Sequence, residues 1–211
     1  MAHVDESSGR SALIGAALEL FAERGIEGVS MREIGRAAGQ RNSNAVQYHF
    51  GDRDALLLAV LRPFHELVAA RRSALLDQYD ATPSPVLRDL AGALVRPPAA
   101  MLEDPDGRAY LRVVADLTGQ PRNLQGPLAG MGLTRWDRTA RAHMPTSTLP
   151  LHRRFSAMHL CFTELGRRAT ARRRSDHRLF VSDLVDLTTA VLGADVSDET
   201  QRLLDERDGG R

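Results

Sequence analysis

The apolar residues of this chain fall into stripes three and four positions apart, the period of an amphipathic helix, and no segment alternates as a half-buried strand does. Leu13, Ala17, Leu20 and Phe21 make the first stripe and predict a helix from Arg10 to Arg24, broken by Gly25 and Gly28. Ser30 then stands three residues before Glu33, the spacing of a capping box in which hydroxyl and carboxylate each satisfy an amide at a helix start. Ile34, Ala37 and Ala38 form the inward side of that second helix, and Gly39 ends it. A short third helix is expected from about Ser43 to Phe50. Asp52 caps a fourth, whose Leu57, Leu61, Phe64 and Val68 continue at helical spacing; Pro63 lies within that pattern and is expected to kink it.

Further along, prolines and glycines punctuate the chain at 82–85, 97–98, 104–107, 119–121 and 126–127, leaving helical stretches around 85–103, 107–118 and 127–143. Two longer helices follow, about Leu151–Ala171 and Asp176–Leu192. The first carries Phe155, Met158, Phe162, Leu165 and Ala169. The second carries two adjacent stripes, Val181/Val185/Thr188/Leu192 and Phe180/Leu184/Leu187/Val191, an arc wide enough to need partners on two sides. A last short helix is expected around Asp198–Glu206. The predicted fold class is therefore all-α. Its expected divisions are a disordered tail at 1–9, a three-helix domain with a helix-turn-helix at 10–55, a larger helical domain at 56–195 and a polar tail at 196–211.

Composition narrows the picture only a little. The 211 residues carry 28 basic and 27 acidic groups, so net charge (+1) points to no polyanionic partner. Every basic residue is arginine, which fits a GC-rich coding sequence. The single Cys161 excludes an internal disulfide and a multi-cysteine zinc site, and no metal or cofactor site is expected. No apolar run approaches 18 residues and the first eight are polar, so a cytoplasmic protein without membrane contact is expected.

The residues Phe21, Gly25, Ser30-x-x-Glu33-Ile34, Ala38-Gly39, Tyr48-His49-Phe50 and Asp54-x-Leu56-Leu57 together resemble the N-terminal domain of the tetracycline-repressor (TetR) family of bacterial regulators. The resemblance covers about a quarter of the chain and implies a homodimeric transcription factor that binds a near-palindromic operator in double-stranded DNA. One departure stands out: Gln40-Arg41-Asn42-Ser43 makes the segment between Gly39 and Phe50 one residue longer than is usual in the family.

On that resemblance, base contacts are expected from Arg41, Asn44, Ala45 and Gln47. Arginine suits guanine O6 and N7, the amides suit adenine, and the alanine methyl can meet a thymine methyl. Phosphate contacts are expected from Tyr48 and His49, from Arg32 and the Met31 amide, and from Arg53 at the start of the fourth helix. Residues 1–62 hold seven arginines against eight acids, which argues against an architectural DNA coater.

The later helices should enclose an effector cavity. Its candidate lining is Phe64, His65, Met101, Tyr110, Trp136, His143, Phe155, Met158, His159 and Cys161, a set that suggests a largely apolar or aromatic small molecule. The resemblance places the dimer interface on the last two long helices, through Phe162, Leu165, Phe180, Leu184, Leu187 and Val191. The cluster Arg167, Arg168, Arg172, Arg173, Arg174 and Arg178 reads as a solvated helix end that suits the carboxyl-terminal dipole, with a second nucleic-acid patch as the alternative. Two rival functions stand beside the effector-released repressor: a regulator with no small-molecule effector, and a helical enzyme, for which no catalytic set is visible.

Overall fold

The computed structural model describes residues 2–42, 44–119, 129–171 and 176–209, all of them in helices or in the turns between helices. The helices are α1 (Ala2–Arg24), α2 (Met31–Ala37), α3 (Ala45–Phe50), α4 (Arg53–Ala81), α5 (Leu87–Ala99), α6 (Pro105–Gly119), α7 (Leu133–His143), α8 (Arg153–Ala169), α9 (Arg178–Gly193) and α10 (Asp198–Gly209). Short 3-10 turns lie at Ala100–Glu103, Ala129–Met131 and Thr146–Leu151. No described helix is long and apolar enough to cross a membrane.

Two expected boundaries move. The first helix begins at Ala2 instead of following a disordered tail, because no proline or glycine pair interrupts the backbone before Gly25. The third begins at Ala45; Ser43 lies outside the described residues, as do Arg172, Arg173 and Arg174 of the arginine cluster.

The long α4 ties the halves together. Its buried positions Leu56, Leu57, Val60, Leu61, His65, Val68, Arg72, Leu76 and Tyr79 keep one face inward over the whole helix. Pro63 lies on the exposed side of this single helix, where its missing N–H costs the fold least. A continuous apolar core runs from Leu13 and Phe21 of α1, through Leu57 and Leu61, to Val114, Leu165 and Leu192.

Inside the larger domain, α5 includes Pro97 and Pro98. These remove the amides that would bond to the Ala93 and Leu94 carbonyls four residues earlier. Arg72 supplies the replacement: its Nε donates to Ala93 O at 3.1 Å and a terminal nitrogen to Leu94 O at 3.2 Å, while the other donates to Met131 O. Trp136, wholly buried, donates its indole N–H to Leu90 O at 2.9 Å.

One polar contact joins the small N-terminal domain to the rest: Asp116 of α6 accepts from the Ile26 amide at 2.9 Å. On the other side of the same residue and within the small domain, Arg53 at the start of α4 donates to Ile26 O, and also to Val29 O at 2.6 Å.

Candidate nucleic-acid interface

The second helix starts as its sequence dictates. The Ser30 hydroxyl accepts from the Glu33 amide at 3.3 Å, and the Glu33 carboxylate accepts from the Ser30 amide at 2.8 Å and from its hydroxyl at 2.7 Å. Those Ser30 bonds, with Arg24 at 2.9 Å, hold the Glu33 carboxyl down at about 2. The helix ends with equal definition. Gly39 takes φ +70°, its amide donates to Arg36 O at 3.0 Å, and the Gln40 amide donates to Gly35 O at 2.9 Å. This pair of reversed bonds is a Schellman closure, and it sends the chain outward into the turn.

The turn is polar and locally braced. Asn42 accepts at its side-chain oxygen from the Asn44 amide at 2.9 Å, and its carbonyl accepts from Ala45 at 3.1 Å. Arg41, Asn42 and Asn44 are exposed along it. On α3, Gln47 and Tyr48 project outward, Tyr48 at 75% exposure, while His49 is half-buried with its ring 5.1 Å from that of Tyr48. Arg32 is exposed at the start of α2 and Met31 is half-buried beside it. One surface therefore carries Arg41, Asn44, Gln47, Tyr48 and His49 on six-residue α3 and its leading turn.

Two expected contacts fall elsewhere. Ala45 is only 6% exposed and packs with Val46 into the core. The helix α3 begins on this inward-facing position. Arg53 is half-buried, with its guanidinium committed to the Ile26 and Val29 carbonyls, so it braces the α1–α2 corner.

Residues 13–60 match the family described as bacterial regulatory proteins, tetR family. The chain carries a TetR-family domain. Two relatives extend the match beyond this TetR-family segment. The HTH-type transcriptional repressor AcnR of Corynebacterium glutamicum is 28% identical over 116 residues, 55% of this chain and 52% of AcnR. AcnR of Corynebacterium efficiens is 29% identical over 113 residues, 54% of this chain and 50% of that one. The chain thus spans about half the length of the curated relatives it matches. Among solved structures, superantigen PfiT aligns with a TM-score of 0.48 at 19% identity, covering 89% of this chain and 97% of its own. NalD, the secondary repressor of the MexAB-OprM multidrug efflux pump in Pseudomonas aeruginosa, aligns with a TM-score of 0.42 at 20% identity, covering 96% of this chain and 94% of NalD.

Behind the TetR-family domain, the expected pocket residues divide into two groups. Phe64, His65, Met101, Tyr110, Trp136 and Cys161 lie inside the larger domain. The Tyr110 ring stacks on Phe64 at 4.8 Å and meets the His65 ring edge-on at 5.6 Å. His143, Phe155 and His159 are exposed and Met158 is half-buried. His143 sits against Tyr79 at 5.0 Å; Phe155 and His159 line an open groove of about 430 Å³ on the outside of α8, with Ser156, Leu160, Thr163 and Glu164. The buried face of α8 holds Phe162, Leu165 and Ala169 of the expected stripe, and adds Arg154, Ala157, Cys161 and Gly166 in place of Phe155 and Met158.

The interface residues divide in the same way. Phe162, Leu165 and Leu184 are buried where α8 and α9 pack on α5 and α6, and expose almost no surface. Leu187 is 48% exposed, Phe180 and Val191 are half-buried, and Leu179, not singled out by its stripe, is 81% exposed. In the arginine cluster, Arg167 pairs with Glu164, Arg178 with Asp176, and Arg168 donates to His177 at 3.1 Å and covers the Phe180 ring at 5.1 Å. Sequence reasoning missed Arg72 and Asp116, whose partners are backbone atoms remote in the chain.

Proposed function

We propose that this chain is a sequence-specific, DNA-binding transcriptional repressor of the cytoplasm, acting as a homodimer and released from a near-palindromic operator by a small molecule. The observation that carries the reading is the surface formed by Arg41, Asn44 and Gln47, held outward between the Gly39 closure and the Asp52 cap. Arg41, Asn44 and Gln47 read base edges; Tyr48, His49, Arg32 and the Met31 amide hold phosphates. One short helix covers only a few base pairs, so a two-fold dimer supplies the second half-site. The outer faces of α8 and α9 supply its interface: Phe155, Leu160, Leu179, Leu187 and Val191 are apolar and exposed or half-buried there. Repression is carried over from the AcnR relatives.

Within this reading, α4 transmits the effector signal. It begins inside the TetR-family domain at Arg53, which braces the Ile26–Val29 corner, and passes His65 and Arg72 in the larger domain, so a ligand that favours one position of α4 biases the spacing of the two reading helices.

The direct test is selection of duplexes from a random pool, followed by footprinting. A two-fold symmetric site is expected, and recovery of no preferred sequence defeats the reading. The tight packing of Met101, Tyr110 and Trp136 favours a second reading, a regulator with no small-molecule effector. A screen in which no compound lowers affinity for the selected duplex selects that alternative.

A further inference from the structure

Four chemically active side chains meet inside the larger domain, far from the reading surface in sequence. His65 and Arg72 lie seven residues apart on the inward face of α4, Tyr110 comes from α6 and Cys161 from α8. All four are buried. Gly130 packs on His65, so near that a Cβ there would stand 3.3 Å from its ring. Arg72 acts electrostatically on His65, Tyr110 and Cys161 alike.

The charge of this cluster does not balance. Burial lowers Arg72 only to about 10, so it stays cationic at neutral pH; it bonds to three carbonyls and to no described carboxylate. Burial pushes the Tyr110 phenol up and the Cys161 thiol up to about 12, and pushes His65 down to about 4, so those three are neutral. One positive charge is buried among neutral groups, a costly arrangement without a counter-charge. Beside it, Tyr110 Oη and His65 Nε2 are both buried with no hydrogen-bond partner among the described residues. Buried polar groups are almost always satisfied, so two orphans next to one unbalanced cation call for a common cause.

We infer that this cluster is the seat of a small monocarboxylate, which accepts from Tyr110 Oη and His65 Nε2, neutralises Arg72 and lies against the Phe64–Tyr110 aromatic pair. The inference rests on the effector reading of the larger domain and changes its chemistry from an apolar ligand to an anionic one. One negative charge matches one guanidinium; a dianion would leave the interior negative. His65 donates as the neutral imidazole with its proton on Nε2, so the one negative charge is balanced by Arg72 alone. The groups that face it are Arg72 along α4, Tyr110 from α6 and Cys161 from α8; α5 and the 129–131 turn present carbonyls to Arg72. Affinity for the carboxylate therefore changes little from pH 6 to pH 8.

The test uses the full chain, calorimetry and thermal shift, with acetate and benzoate as probes and benzamide as the neutral counterpart of benzoate. Saturable carboxylate binding is expected, at least about tenfold tighter for benzoate than for benzamide. Tyr110→Phe and His65→Leu should each weaken it about tenfold while leaving the unliganded melting temperature equal or higher, since each removes an unsatisfied buried group. Benzamide binding as well as benzoate, no binding of either carboxylate, or wild-type benzoate affinity in Tyr110→Phe overturns the inference. The two readings separate on the selected duplex. A neutral compound that releases DNA where carboxylates do not leaves the effector reading standing without this one. Benzoate that binds through Tyr110 and His65 but leaves DNA affinity unchanged does the reverse.

Discussion

Arg72 gives the Ala93 carbonyl the hydrogen bond that Pro97 cannot make. The same guanidinium serves Leu94, which Pro98 deprives in the same way, and ties the turn at Met131 to α4. A buried arginine that looks like an ion-pair residue without its acid is, in this respect, a replacement for two missing backbone amides.

Arg72→Met should therefore destabilise the protein by about 3–5 kcal/mol, since up to three buried carbonyls lose their donor at roughly 1–3 kcal/mol each. Arg72→Lys should recover little, because one ammonium cannot reach carbonyls on two elements at once. In a double-mutant cycle, Pro97→Ala should recover part of the loss in the Arg72→Met background by restoring an amide. Urea denaturation measures both effects. A loss below about 1 kcal/mol in Arg72→Met contradicts this account of the arginine.

Gln47→Ala should relax sequence discrimination at one base pair, at about 1–3 kcal/mol. His49→Ala should weaken all duplexes about equally and reduce the salt dependence of binding. Competition between the selected duplex and its single-base variants distinguishes the two. Uniform weakening in Gln47→Ala would show that this side chain does not read a base.

Ala45→Leu tests the inward placement of Ala45. The added atoms meet a packed core and should cost about 1–3 kcal/mol of stability. Thermal unfolding near wild type with altered base preference would return Ala45 to the DNA surface.

Asp116→Ala removes the acceptor from the buried Ile26 amide, and about 1–3 kcal/mol of stability with it. Because that bond fixes the α1–α2 corner, affinity for the selected duplex should also fall. Asp116→Asn keeps an acceptor and should retain most of both. Fluorescence anisotropy with a labelled duplex, beside a melting curve, shows whether the two losses travel together.

Stability should also depend on His65. In the unfolded chain this imidazole titrates near 6.5; in the fold, burial and Arg72 lower it to about 4. Below pH 6.5 the unfolded state takes up a proton that the folded state refuses, so stability falls as pH drops from 6.5 to 4 and the contribution then levels off. The span corresponds to roughly 2–3 kcal/mol. Denaturation midpoints across that window should flatten in His65→Leu, and an unchanged slope would move the effect to other groups.

Local chemistry was legible in the sequence; long-range chemistry was not. The Ser30–Glu33 box and the Gly39 stop depend on neighbours within a turn, so their residue types announce them. Arg72 could not be read, because its partners lie 21, 22 and 59 positions away and are carbonyls, which leave no trace in residue type. The inward turn of Ala45 depends on how α3 packs against the core, which residue type does not announce. On α8, Phe162, Leu165 and Ala169 of the expected stripe are buried. Phe155 fits the period but faces outward, while the less hydrophobic set Arg154, Ala157 and Cys161 packs inside.

Ile26 is held at its amide by Asp116 and at its carbonyl by Arg53, so both grips fall on main-chain atoms. The Asp116 bond between reading head and sensor therefore needs only the N–H of residue 26, while the side chain there, wholly buried, sets the packing around it. Heads with other specificities can be exchanged onto this body without recoding the joint, provided that residue 26 stays apolar and keeps an N–H. Proline there removes the donor, and a polar or charged side chain loses the packing.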